Sequence, residues 1–285
     1  MISSLKLNGF TGIPYLPTSA FMQNYNGEIK FSTEKPNVIV GRNGSGKSSL
    51  LEALTARFLC KYLPQSCFDN QYTDDHKTKE LWSGEHGWRS EFEYLKGLEC
   101  ETDNGVALFY RPNHIPGNES WINNCLFTGY GDPARVFMDA TRHKSSGQKT
   151  LALLEHILAI LAGNAEAPKE YIYHNWGFGK ELRDVEGGNG WHSRGMPWEW
   201  KAEVLKKLYV PQEGARPLII MDEPEQSLDP LVEAQMWKTI ENTDCSQHQV
   251  IVASHSFYPM MHPEKFNVIE TEEGFIDEVR AVLAQ

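Results

Sequence analysis

Eight consecutive residues, Gly41-Arg42-Asn43-Gly44-Ser45-Gly46-Lys47-Ser48, hold the densest chemistry in this sequence. The spacing G-x-x-x-x-G-K-S suits a polyphosphate and is the P-loop pattern. Gly41, Gly44 and Gly46 let the backbone turn tightly and bring its N–H groups against an anion. A helix starting near Lys47 aims the positive end of its dipole at the same charge. The Lys47 ammonium reaches β- and γ-phosphates, and the Ser48 hydroxyl suits Mg²⁺. Asn43, Ser45 and Ser49 complete the nucleotide-contacting set, and the expected ligands are a nucleotide's phosphates and Mg²⁺. A second cluster, Asp222-Glu223, follows the apolar run Leu218-Ile219-Ile220-Met221. A carboxylate at the C-terminal end of such a strand can hold Mg²⁺, commonly through water. Its neighbour points elsewhere and is free to polarise an attacking water.

The elements around these clusters follow from periodicity. Val38 to Val40 reads as a buried strand feeding the loop. Lys47 to about Tyr62 reads as a helix with Leu50, Leu51, Leu54 and Phe58 on one face, ended by Pro64. Ile2 to Asn8 and Gly27 to Phe31 read as strands. Phe92 to Cys100 and Val106 to Arg111 read as a hairpin across Asp103-Asn104-Gly105, and Val136 to Met138 as a short strand. Gly147 to Leu161 is helical and stops at Gly163-Asn164. Leu218 to Met221, Gln249 to Ala253 and Phe266 to Glu270 read as further strands, and Asp229 to Asn242 as a helix. Phe275 to Gln285 reads either as a strand with a short helix or as one helix. Strands alternating with helices make an α/β sheet. Gln65 to Arg89 and Pro112 to Pro133 show no period. Asn164 to Pro217 is rich in glycine and aromatics, and only Pro197 to Tyr209 looks helical there.

Composition bounds the rest. The 285 residues are 40% hydrophobic and 23% charged, as in ordinary globular proteins. A net charge of −11 gives no support to a broad nucleic-acid-binding face. Five cysteines without a C-x-x-C pair read as free thiols, which points to a reducing, cytoplasmic setting. The N-terminus lacks the apolar run of a signal peptide, and no apolar run is long enough for a transmembrane helix.

With these motifs in order, the chain resembles the ABC-type ATPases. Gly41 to Ser48 resembles Walker A, Asp222-Glu223-Pro224 Walker B, and Ser227-Leu228-Asp229 the D-loop. Ser254-His255-Ser256 resembles the switch region, whose histidine contacts the γ-phosphate. Lys144-Ser145-Ser146-Gly147-Gln148 resembles the signature L-S-G-G-Q, matching at Ser145, Gly147 and Gln148 and departing at Lys144 and Ser146. The resemblance implies Lys47, Glu223 and His255 as catalytic residues, and Ser48 and Asp222 at the metal. It adds Ser145, Gly147, Gln148 and Asp229 to the nucleotide site, contributed across a homodimer that forms around Mg-ATP. Its glutamine loop would fall at Gln65 or Gln71. The implied fold is a single P-loop NTPase domain of ABC type over residues 1–285. It has a mixed central sheet, an antiparallel β subdomain, a helical lobe and no coiled-coil arm, with insertions at about 65–90 and 164–216.

Within that superfamily the N-terminal pattern is similar to the soluble SMC- and RecF-like group, which includes stand-alone AAA-type ATPases of defence and toxin systems. There the ATPase is a switch for a separately encoded effector, such as a nuclease or toxin in phage defence. The alternatives are a transporter's nucleotide-binding subunit, a RecF-like DNA repair ATPase and a small-metabolite kinase. The long stretch between signature and Walker B argues against the transporter, and a kinase leaves the signature and His255 unexplained. The aromatic segment Asn164 to Pro217 reads as a surface flap or a docking face for the effector. Its equal numbers of acids and bases from Asn164 to Arg216 offer no phosphate funnel for nucleic acid.

Overall fold

The structure, a computed structural model, describes residues 1–58, 61–62, 95–112, 143, 145–167 and 211–285. The expectations for Gln65 to Arg89, Val136 to Met138 and Pro197 to Tyr209 lie outside the described residues, as do Gln65 and Gln71.

Strands β1 (Ile2–Leu7), β2 (Glu28–Lys30) and β5 (Leu98–Thr102) make an antiparallel sheet in the order β2-β1-β5. Strands β3 (Asn37–Val40), β4 (Lys61–Tyr62), β6 (Ala107–Tyr110), β7 (Leu218–Asp222), β8 (Gln249–Ser254) and β9 (Asn267–Glu270) make a second sheet. Its order is β4-β6-β7-β8-β3-β9, and every pairing is parallel. The described helices are α1 (Ala20–Asn24), α2 (Lys47–Phe58), α3 (Ser146–Leu161), α4 (Pro230–Glu241), α5 (Phe257–Met261) and α6 (Phe275–Leu283).

The parallel strands β3, β6, β7 and β8 are buried at every position. A strand covered on both faces has no polar side, which is why these runs are apolar between their ends, with Asn37, Asp222, Gln249 and Ser254 as the buried polar termini. Alternate residues feed two cores. Ile39, Phe109, Ile220 and Ile251 face Leu50, Leu51, Leu54 and Phe58 of α2 and the antiparallel sheet's Ile2, Leu5 and Ile29. Val40, Tyr110, Met221 and Val252 face Leu154 and Ile157 of α3 and Met236, Trp237 and Ile240 of α4. Two buried amides join the sheets. Gln249 accepts from Ile2 N at 2.7 Å and donates to Ile2 O at 2.7 Å and Ser32 O at 3.0 Å. Asn37 donates to Ser32 O at 2.9 Å and Val250 O at 3.0 Å. Backbone groups that end their ladders there keep hydrogen-bond partners.

Four sequence readings change. The central sheet, expected to be mixed, is parallel in all its described strands, and the antiparallel strands form their own sheet. The expected hairpin is a crossover instead: β5 pairs with β1 and β6 with β7, in different sheets. The burial patterns give the reason. β5 alternates between buried and more exposed positions, while β6 is buried throughout, so the two belong to different kinds of sheet. The turn seats Gly105 where a Cβ would lie 2.0 Å from Arg216 O, so the chain passes close under another backbone there. The P-loop helix ends at Phe58, and Lys61–Tyr62 adds an edge strand beside Leu108 and Phe109. The C-terminal alternatives resolve to one helix, α6, after Gly274 in the left-handed region at φ 79°.

Candidate functional site

Register brings the chemistry together. Tyr110 pairs with Met221, Asp222 with Ala253, and Val40 with Ser254. Four adjacent parallel strands therefore end nearly level, and the residues after them share one edge. These are Arg111 after β6, Glu223 after β7, His255 after β8 and Gly41 after β3. Ligands of α/β sheets bind at such C-terminal edges.

The glycine loop wraps its own lysine. Lys47 is 4% exposed, and its Nζ donates to Gly41 O and Arg42 O, both at 2.9 Å. Burial lowers its pKa, opposed by the carboxylates of Glu223, Asp222, Glu225 and Glu272. Gly44 (φ 75°) and Gly46 (φ 107°) adopt left-handed backbone that other residues avoid. A Cβ on Gly44 would meet nothing within 4 Å, so this part of the cradle is open. The Ser45 hydroxyl is buried with no hydrogen-bond partner among the described residues. Asn43 is exposed. Arg42 points away from the loop, donating to Glu272 at 2.9 Å and Glu278 at 2.6 Å, which fastens the loop to α6.

Ser48 Oγ donates to Asp222 Oδ1 at 3.1 Å. A hydroxyl and a carboxylate converging beside a phosphate cradle form the hard-oxygen donor set that Mg²⁺ takes, so these residues fit the cation. The glycine loop and Lys47 likewise fit the phosphates of a nucleotide. Glu223 follows Asp222 with φ 47°, left-handed backbone in a non-glycine residue. Such a conformation costs on the order of 1–3 kcal/mol and collects at functional sites. Here it turns the Glu223 carboxylate toward His255, whose Nε2 lies 3.5 Å from Oε1. Burial and the Lys47 charge lower the His255 pKa, against the pull of Glu223 and Asp222, so the imidazole is neutral at pH 7.

The remaining expected residues stand in helix caps. Ser145 caps α3 and accepts from Gln148 N at 3.3 Å, while Gln148 Oε1 accepts from Ser145 N at 2.9 Å. This reciprocal capping box begins the helix at Ser146, with Gly147 in its first turn. Both side chains are exposed, and neither is hydrogen-bonded to the P-loop in the described structure. Asp229 caps α4 by accepting from Leu231 N at 3.0 Å and Val232 N at 3.1 Å.

Four residues at the site escape sequence reasoning. Tyr15 is 48% exposed and shares a hydroxyl contact with Ser49. Arg111 pairs with Asp222. Glu225 Oε1 accepts from Ser254 Oγ at 2.8 Å and His255 N at 2.7 Å, which ties the loop after β7 to the loop after β8. Thr271 is fully buried against Gly41. The third acid in Asp222-Glu223-Pro224-Glu225 was the single available hint of any of these.

Among the described residues, no helix is long and apolar enough to cross a membrane. A search of curated proteins finds no match. A family model described as an AAA domain matches residues 4–78, the stretch that contains the P-loop and its helix. With the two-sheet α/β architecture, which is consistent with a P-loop NTPase, this match supports an AAA-type, nucleotide-binding ATPase.

Proposed function

We propose that this chain is an ATP-hydrolysing switch of ABC type that closes as a homodimer around Mg-ATP and governs a separately encoded effector. What carries the reading is the convergence of Lys47, Ser48, Asp222, Glu223 and His255 at one edge of adjacent parallel strands. Bound Mg²⁺ would supply charge neutralisation at the phosphates. The loop amides and Lys47 would hold the phosphates, and Ser48 and Asp222 would hold the cation. Glu223 takes a proton from a water whose oxygen attacks the γ-phosphorus, and the bond to the β-phosphate oxygen breaks to release ADP and phosphate. His255, neutral and beside Glu223, is placed to donate to the γ-phosphate. Ser145, Gly147 and Gln148 begin a helix, and a helix N-terminus suits the phosphate held by a partner protomer. ATP shared in this way favours the dimer by mass action.

The effector follows from the resemblance to the soluble group. A defence nuclease or toxin is the implied class, and its docking surface is assigned to the aromatic segment Asn164 to Pro217 by composition alone. Glu223→Gln tests the core of the reading. This variant should bind Mg-ATP, turn it over orders of magnitude more slowly, and shift to dimer in light scattering. Turnover close to wild type removes Glu223 from the mechanism. An ATP-bound monomer that hydrolyses at full rate removes the composite site.

A further inference from the structure

Asp222 is not waiting with a bare charge. Its side chain is 3% exposed, and Oδ2 accepts from Arg111 Nε at 2.8 Å and Nη2 at 2.5 Å. Oδ1 accepts from Ser48 Oγ at 3.1 Å. Arg111 stands there because Tyr110 is in register with Met221, so the next residue on each strand shares the sheet edge. Its guanidinium also lies 5.4 Å from the Phe109 ring centroid, which limits how it can lie. A guanidinium keeps its charge at any working pH, and two donors on one carboxylate oxygen make a strong, directional pair. A buried carboxylate without a cation beside it is costly. Arg111 therefore supplies at Asp222 the positive charge that a divalent cation brings.

We propose that Arg111 is the site's resident counter-cation. It holds Asp222 while no divalent cation is bound, and yields it when Mg²⁺ enters beside Ser48. The inference rests on the Mg-nucleotide reading of the site. It makes cation entry a displacement, so metal affinity is set below what Ser48, Asp222 and the phosphates alone would give. A purely structural ion pair between the ends of β6 and β7 behaves differently, since its loss would leave metal affinity unchanged or weaken it.

The test is Mn²⁺ binding in the presence of the non-hydrolysable analogue AMPPNP, followed by the electron paramagnetic resonance of free Mn²⁺. Arg111→Gln should bind Mn²⁺ about tenfold more tightly than wild type, a difference of ~1.4 kcal/mol. It should also melt lower in EDTA and recover on adding Mn²⁺. Unchanged or weaker Mn²⁺ affinity in a folded variant overturns the proposal. If the variant does not fold, the wild-type protein decides, through crystal structures with AMPPNP in EDTA and in Mn²⁺. The Arg111–Asp222 bond should be present in the first and broken in the second, and a bond that persists beside bound Mn²⁺ overturns the proposal. Wild-type protein that binds no Mn-AMPPNP at all overturns the nucleotide reading as well. Wild type that binds normally beside an unaltered variant overturns this inference alone.

Discussion

Truncating Glu225 should loosen the switch loop without touching the phosphate cradle. Its Oε1 accepts two donors, Ser254 Oγ at 2.8 Å and His255 N at 2.7 Å. Glu225→Ala leaves both donors short of a partner, at about 1–3 kcal/mol for each buried group so exposed. Two effects reduce the total. Burial pushes the Glu225 carboxyl pKa up, against the hydrogen bonds that lower it, so the charge itself is held at a cost that the alanine removes. Ser254 Oγ still accepts from Ser256 N at 2.9 Å, so only its hydroxyl proton loses a partner. The expected net loss is ~2–4 kcal/mol in urea unfolding. Glu225→Gln keeps an acceptor oxygen in place and should stay within ~1 kcal/mol of wild type. The sign of the pH effect is distinctive. A carboxyl with a raised folded pKa contributes stability that is present below its unfolded pKa and lost as pH rises through the folded value. The glutamine variant should therefore compare more favourably with wild type at pH 7 than at pH 4. Turnover should fall in the alanine variant through kcat, because His255 loses its backbone anchor, while KM for ATP changes little. An alanine variant within ~0.5 kcal/mol of wild type, with normal kcat, would refute the reasoning.

Lys47→Ala should abolish ATP binding, read by isothermal titration calorimetry, because the ammonium that bridges Gly41 O and Arg42 O is also the proposed phosphate clamp. Gly41→Ala places a Cβ 1.7 Å from Thr271 Oγ1 and 2.7 Å from Thr271 Cβ, so the loop or β9's end must shift. Overpacking of this kind costs about 1–3 kcal/mol, and a thermal melt together with a fluorescent ATP analogue should show lost stability and lost binding. His255 has a lowered pKa, so the acid limb of the kcat profile assigned to it should lie below pH 6.5 and disappear in His255→Gln. Its contribution to stability is complete above the unfolded pKa and is lost as pH falls below 6.5 through the folded value, which acid titration of the melting temperature checks.

What the sequence by itself determined is the chemistry that is local along the chain. The P-loop is legible because its glycines, lysine and serine are adjacent, and the backbone turn they make needs no distant partner. Asp222-Glu223 is legible because the unbroken apolar run Leu218 to Met221 reads as a central strand, and its C-terminal end is where such sheets present ligands. The start of α3 is legible for the same reason, since Ser145 and Gln148 cap within one turn. Tertiary structure decided the contacts made across strands. Arg111 carries no motif, and its meaning comes from Tyr110 lying opposite Met221. Glu225 reads as one acid among several until Ser254 and His255 arrive on the next strand. Thr271 matters only because Gly41 packs against it. The turn at Asp103-Asn104-Gly105 has the same chemistry in a hairpin as in a crossover. Only the burial of β6 on both faces sends it to the parallel sheet, and burial belongs to the assembled fold.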